Sequence, residues 1–133
     1  MARVLVVEDN PRLHLLALKV LGARGHQVTL AVDGLEAVSV ALATHPDAIL
    51  MDVSLPGLGG LEATRRIKAA MPEMPVAAVT AHAQESDRQR ALDAGCDMVL
   101  TKPYAIADLL STVDILVAHS VPPAVRAAER RPA

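Results

Sequence analysis

The sequence predicts an α/β fold: one doubly wound, five-stranded parallel sheet with helices on both faces. Two observations predict it. Short apolar runs alternate with longer stretches of helical period along the chain. The runs are apolar at consecutive positions, as strands buried on both faces are, rather than alternating apolar and polar. Parallel strands need right-handed crossovers, and those place the intervening helices on the sheet.

The elements follow in order. Val4 to Val7 is the first strand run. Leu13, Leu16, Ala17, Val20 and Leu21 then form an amphipathic stripe, opened by Asn10-Pro11 and stopped near Gly25. Val28 to Ala31 is a second strand, and Leu35, Val38, Ala41 and Leu42 a second stripe. Ala48 to Met51 is the third strand, followed by a Pro/Gly-rich loop over Leu55 to Gly60 and a helix from about Leu61 to Ala70. Val76 to Thr80 is the fourth strand. The segment Asp87 to Ala94 is helical and closes on Gly95, placed for a left-handed C-cap. Met98 to Leu100 is the fifth strand, and Ile106, Leu109, Leu110, Val113, Leu116 and Val117 form the last stripe.

The bulk composition suits one globular domain, expected over residues 1–119, with a tail over 120–133. The chain has 133 residues, 52% hydrophobic and 21% charged, with no Phe or Trp and one Tyr, so Leu, Val, Ile, Ala and Met must build the core. The net charge is −2, and the last fourteen residues hold three Arg and one Glu. A small basic tail on an acidic body argues against a nucleic-acid partner. Cys96 is the single cysteine, which excludes an internal disulfide. No signal-peptide pattern or membrane-length apolar run is present, so a cytoplasmic protein is expected.

In open α/β sheets the working site lies at the carboxyl ends of the strands. Those ends carry Glu8 and Asp9, then Asp52, then Thr80, then Lys102-Pro103. Three carboxylates converging on one rim repel strongly: about 3 kcal/mol for a pair ~5 Å apart at an effective dielectric near 20. Lys102 offsets one charge only. A hard divalent cation, Mg²⁺ in particular, meets the remainder with oxygen ligands and retained water.

The segments VVEDN, ILMDVSLPGLGG, VAAVTAHA and LTKPY resemble, in the same order, the motifs of the response-regulator receiver family. The resemblance runs from about residue 3 to residue 118. It implies the flavodoxin-like (βα)5 strand order 2-1-3-4-5. Asp52 would be the phosphoacceptor, taking its phosphoryl group from a histidine kinase or histidine phosphotransfer protein. Glu8, Asp9, Asp52 and the backbone carbonyl of Ser54 would hold Mg²⁺. Thr80 would be the switch hydroxyl, and Lys102 would pair with Asp52 and then with the phosphate. A cis peptide would precede Pro103. The resemblance makes the chain a signalling domain with slow self-dephosphorylation at most, not a turnover enzyme. It stands alone or forms the receiver portion of a hybrid kinase or DNA-binding regulator.

Each feature also has a bland explanation. Acidic residues after a strand favour a helix N-terminus, a lone Asp forms turns, and Lys-Pro marks loops. Their conjunction at successive strand ends outweighs those readings. An aspartyl-phosphate phosphatase of the haloacid-dehalogenase type would need a second Asp two residues after Asp52, where Ser54 stands. Gly57 to Gly60 lacks the Lys-Ser/Thr of a P-loop. The five histidines show no metal-ligand spacing and are expected mostly at the surface, His82 alone looking onto the site. Cys96 is expected to be structural, and Tyr104 to pack beside the site. One departure stands out: Val99 occupies the position where the family usually carries an aromatic ring.

Overall fold

A computed structural model of the chain describes residues 2–82 and 84–119; the expected tail over 120–133 lies outside the described residues. Five strands alternate with five helices: β1 Arg3–Val7, α1 Pro11–Ala23, β2 Gln27–Ala31, α2 Gly34–Thr44, β3 Ala48–Asp52, α3 Gly60–Ala70, β4 Val76–Thr80, α4 Glu85–Asp93, β5 Met98–Thr101 and α5 Ile106–Ala118. The sheet order is β2-β1-β3-β4-β5, and every pairing is parallel. Element boundaries lie within about two residues of those read from the sequence, the usual uncertainty at frayed ends.

The central strands explain their own composition. Every residue of β3 and β4 is buried, whereas β2, at an edge, alternates in exposure. Because successive strand residues point to opposite faces, the sheet feeds two cores. Leu5, Val7, Ile49, Met51, Val76 and Ala78 meet Ala37 and Ala41 of α2, Ala63 and Ile67 of α3 and Ala91 of α4. Val4, Val6, Ala48, Leu50, Ala77 and Val79 meet Ala17 and Leu21 of α1 and Leu109, Val113 and Leu116 of α5.

Two expected helix stripes are displaced. In α2 the buried residues are Gly34, Ala37 and Ala41, while Leu35 and Leu42 are 62% and 42% exposed. The cause is close approach: a Cβ at Gly34 would overlap the Leu58 carbonyl, so the small residues face inward. In α5, Ile106 is exposed and the buried stripe runs Leu109, Thr112, Val113 and Leu116. Gly95, at φ +108°, ends α4 in the left-handed conformation expected of it.

Strand register carries chemistry to one rim. Val7 pairs with Met51, so Glu8 follows β1 beside the end of β3, where Asp52 is the last residue. Asp52 pairs with Val79, one residue before Thr80, and Thr80 pairs with Thr101, one before Lys102. The ladder extends past the strands through Val53 N–H to Val79 O at 2.9 Å and Lys102 N–H to Thr80 O at 2.7 Å. At Gly60 a Cβ would overlap the Asp52 carbonyl, so the start of α3 sits directly against the residue that ends β3.

Candidate phosphoacceptor site

Asp52, Glu8 and Thr80 are buried, at 3%, 5% and 4% exposure, although each is polar. Buried charges persist only when paired and hydrogen-bonded, and both carboxylates are. The Lys102 ammonium lies 2.8 Å from Glu8 Oε1 and 3.2 Å from Asp52 Oδ2. The second oxygens take backbone donors: Ser54 N–H donates to Asp52 Oδ1 at 3.0 Å, and Asn10 N–H to Glu8 Oε2 at 3.1 Å. Asp9 is exposed beside them.

One ammonium therefore serves two buried carboxylates. Burial pushes the Glu8 carboxyl above the ordinary glutamate range; Asp52 adds to the rise, and the Lys102 and Asn10 donors only partly oppose it. Burial draws the Lys102 ammonium down, but pairing with Glu8 and Asp52 outweighs it, so its pKa stands above the ordinary lysine value. Glu8, Asp9 and Asp52 each present an oxygen, all within 4.8 Å of one another. Three carboxylates against one ammonium leave a local charge of −2, which suits a hard divalent cation bound by oxygen.

The structure thus brings together Glu8, Asp9, Asp52 and Lys102 as expected. The peptide between Lys102 and Pro103 is cis. Thr80 ends β4 at the same rim, and its Oγ1 accepts the His82 N–H at 3.0 Å. Ser54 is exposed and touches Asp52 through its N–H. A cleft of about 640 Å³ opens beside the rim, lined by Ser54, Thr80, His82, Asp87 and Arg90 among others. Tyr104 packs into the α1/α5 core and, with Lys102, Leu13 and Leu16, lines a second cleft of about 320 Å³. Val99 packs, partly buried, against the other core.

Two features were not read from the sequence. The shorter contact of Lys102 is with Glu8, not Asp52; the extra methylene of Glu over Asp at position 8 was the available signal. The histidines are less superficial than expected. His14, His26 and His45 are half-buried, His14 against the Ala31 carbonyl and His26 accepting the Ala2 N–H at 3.2 Å. Cys96 is buried, its thiol 3.9 Å from the Thr64 hydroxyl, and burial raises its pKa.

The response regulator receiver domain model matches residues 4–114, an interval that contains Glu8, Asp9, Asp52, Thr80 and Lys102. The chain belongs to that family. It is thus a signalling domain of two-component systems, a class that interacts with histidine kinases and downstream effectors. It is 36% identical over 120 residues to the response regulator MprA of Mycolicibacterium vanbaalenii, covering 90% of this chain and 52% of the relative. The receiver domain of the sensor histidine kinase PA1611 from Pseudomonas aeruginosa, solved with a magnesium ion coordinated in its active-site cleft, is 39% identical with a TM-score of 0.82. That comparison covers 88% of this chain and 98% of the other. A two-component response regulator of the LuxR family from Aurantimonas is 30% identical, TM-score 0.84, with 98% of each chain covered.

The receiver spans about half the length of the MprA relative. The expectation of no nucleic-acid partner was drawn from this chain's own charge, and it finds no support for a longer protein of that kind. No helix among the described residues is long and apolar enough to cross a membrane.

Proposed function

We propose that this receiver accepts a phosphoryl group on Asp52 from a phosphohistidine of a histidine kinase or phosphotransfer protein, in the cytoplasm and with Mg²⁺ bound. The observation that carries the reading is the pair of buried carboxylates sharing the Lys102 ammonium at 2.8 and 3.2 Å. Phosphoryl transfer demands positioning and charge neutralisation more than proton chemistry, and the rim offers both.

An Asp52 carboxylate oxygen attacks phosphorus in line as the P–N bond breaks, and the bonding pair returns to the donor imidazole. Ser54 N–H holds the plane of the Asp52 carboxylate. Lys102, anchored by Glu8, stays at the rim and offsets charge on the phosphoryl oxygens. Glu8, Asp9, Asp52 and the Ser54 carbonyl would hold Mg²⁺, which supplies further neutralisation of that charge. The Thr80 hydroxyl, now accepting from His82 N–H, turns to donate to a phosphoryl oxygen. Shifting a two-state equilibrium from 1:99 to 99:1 takes about 5.5 kcal/mol, and a gripped dianion supplies differential contacts of that kind. Signalling then proceeds by protein–protein contact, and the domain itself turns over no substrate beyond slow self-dephosphorylation.

Acetyl phosphate with Mg²⁺ tests this. The parent chain should gain one phosphoryl group by mass and Asp52→Asn none; labelling of Asp52→Asn would overturn the assignment. A second reading, that the domain works within a longer regulator or hybrid kinase, is favoured by its 52% coverage of MprA. The length of the native reading frame decides it.

A further inference from the structure

The Asp9 carboxylate differs from its two neighbours. Glu8 and Asp52 are held by Lys102 and by backbone donors, whereas no hydrogen bond from the described residues holds the Asp9 side chain. Its placement depends on the backbone of residues 8–10, between β1 and α1.

The stretch from Glu8 to His14 is tied at both ends to one atom. The Ala31 carbonyl, wholly buried at the end of β2, accepts the Glu8 N–H at 3.0 Å. The same oxygen lies 3.2 Å from Nε2 of His14 in α1. A carbonyl can only accept, so Nε2 carries the proton in this contact, whether the ring is neutral or charged. Between these anchors, Asn10 N–H is held by Glu8 Oε2, and Asn10 Oδ1 caps α1 through Arg12 N–H at 2.9 Å. His14 N–H returns to the Asn10 carbonyl at 3.0 Å. The chain therefore leaves the Ala31 oxygen at Glu8, passes Asp9, enters α1 and comes back to the same oxygen through the His14 ring.

We infer that His14 is a positioning residue for Asp9: it closes this circuit and fixes where the exposed carboxylate hangs over the site. The inference rests on the metal-assisted reading above only for its consequence in Mg²⁺ affinity; the closure itself is read without metal. Two variants separate donor from bulk. His14→Leu removes the N–H and keeps an apolar side chain. His14→Gln restores an N–H the same number of bonds from Cα.

Mg²⁺ alone is titrated against each chain and followed by Tyr104 fluorescence. His14→Leu should weaken binding about fivefold, the worth of one ordinary hydrogen bond, and His14→Gln should recover most of it. Exchange of the Glu8 amide, measured without Mg²⁺, should quicken in His14→Leu and slow again in His14→Gln. Unchanged Glu8 exchange in His14→Leu overturns the inference. So does failure of Gln to restore either readout, or an affinity loss that merely tracks the urea midpoint in both variants. A parent chain that binds no Mg²⁺ would overturn the proposed function, while Glu8 exchange would still decide the role of His14.

Discussion

The two rims of the sheet treat their carboxylates in opposite ways. At the amino-terminal rim Asp97 and Asp47 have donors of their own. Asp97 takes Lys68 Nζ and Val76 N–H, both at 2.9 Å, and Asp47 takes Arg3 N–H at 2.8 Å. At the carboxyl-terminal rim two buried acids share one ammonium, and a third stands exposed beside them. Both rims are polar and both are well bonded. What distinguishes the carboxyl-terminal rim is uncompensated negative charge gathered at the ends of β1 and β3.

The largest expected effect breaks the comparison at its centre. Asp52→Asn should reduce Mg²⁺-dependent phosphoryl acceptance to background, whereas Asp97→Asn at the opposite rim should leave its rate unchanged, both followed by intact mass. Ile67→Ala, which empties a fully buried position in the core beneath both rims, should cost about 3 kcal/mol in urea unfolding. Asp97→Asn should cost about 1 kcal/mol in the same assay, because its ion pair is partly exposed and its backbone donor keeps an acceptor.

A pH series sharpens the contrast. The folded-state pKa of Glu8 is raised, so the folded chain binds this proton more tightly than the unfolded one. Its contribution to stability is fully present below the ordinary value of 4.5 and is lost as pH rises through the raised folded value. Metal-free chain should therefore lose urea stability across that window, and Glu8→Gln should flatten the slope. A slope that survives Glu8→Gln would assign the strain to another group. The smallest effect concerns His82, beside the cleft: His82→Ala should alter the dephosphorylation rate and leave Mg²⁺ affinity unchanged. Equal dephosphorylation rates in variant and parent would refute it.

Much of this was legible in the sequence because the physics is local. Runs such as Ala48 to Met51 are short and apolar on both faces, as buried strands are, and the register of a parallel sheet then carries Glu8, Asp52, Thr80 and Lys102 to one edge. What escaped depended on distance between elements. In α2, Leu35 and Leu42 are the larger apolar residues, yet the helix approaches its neighbours so closely that Gly34, Ala37 and Ala41 must face inward. The preference of Lys102 for Glu8, and the reach of His14 to Ala31, are contacts across 94 and 17 residues. No periodicity encodes such pairs; they follow from where the elements come to rest.

The fit of Gly60 against the Asp52 carbonyl gives the rim a mechanical property. Two parts mounted without clearance leave no room for a side chain between them, and here the parts are Asp52 and the first residue of α3. Position 60 is where even a methyl group would force the start of α3 away from the Asp52 carbonyl.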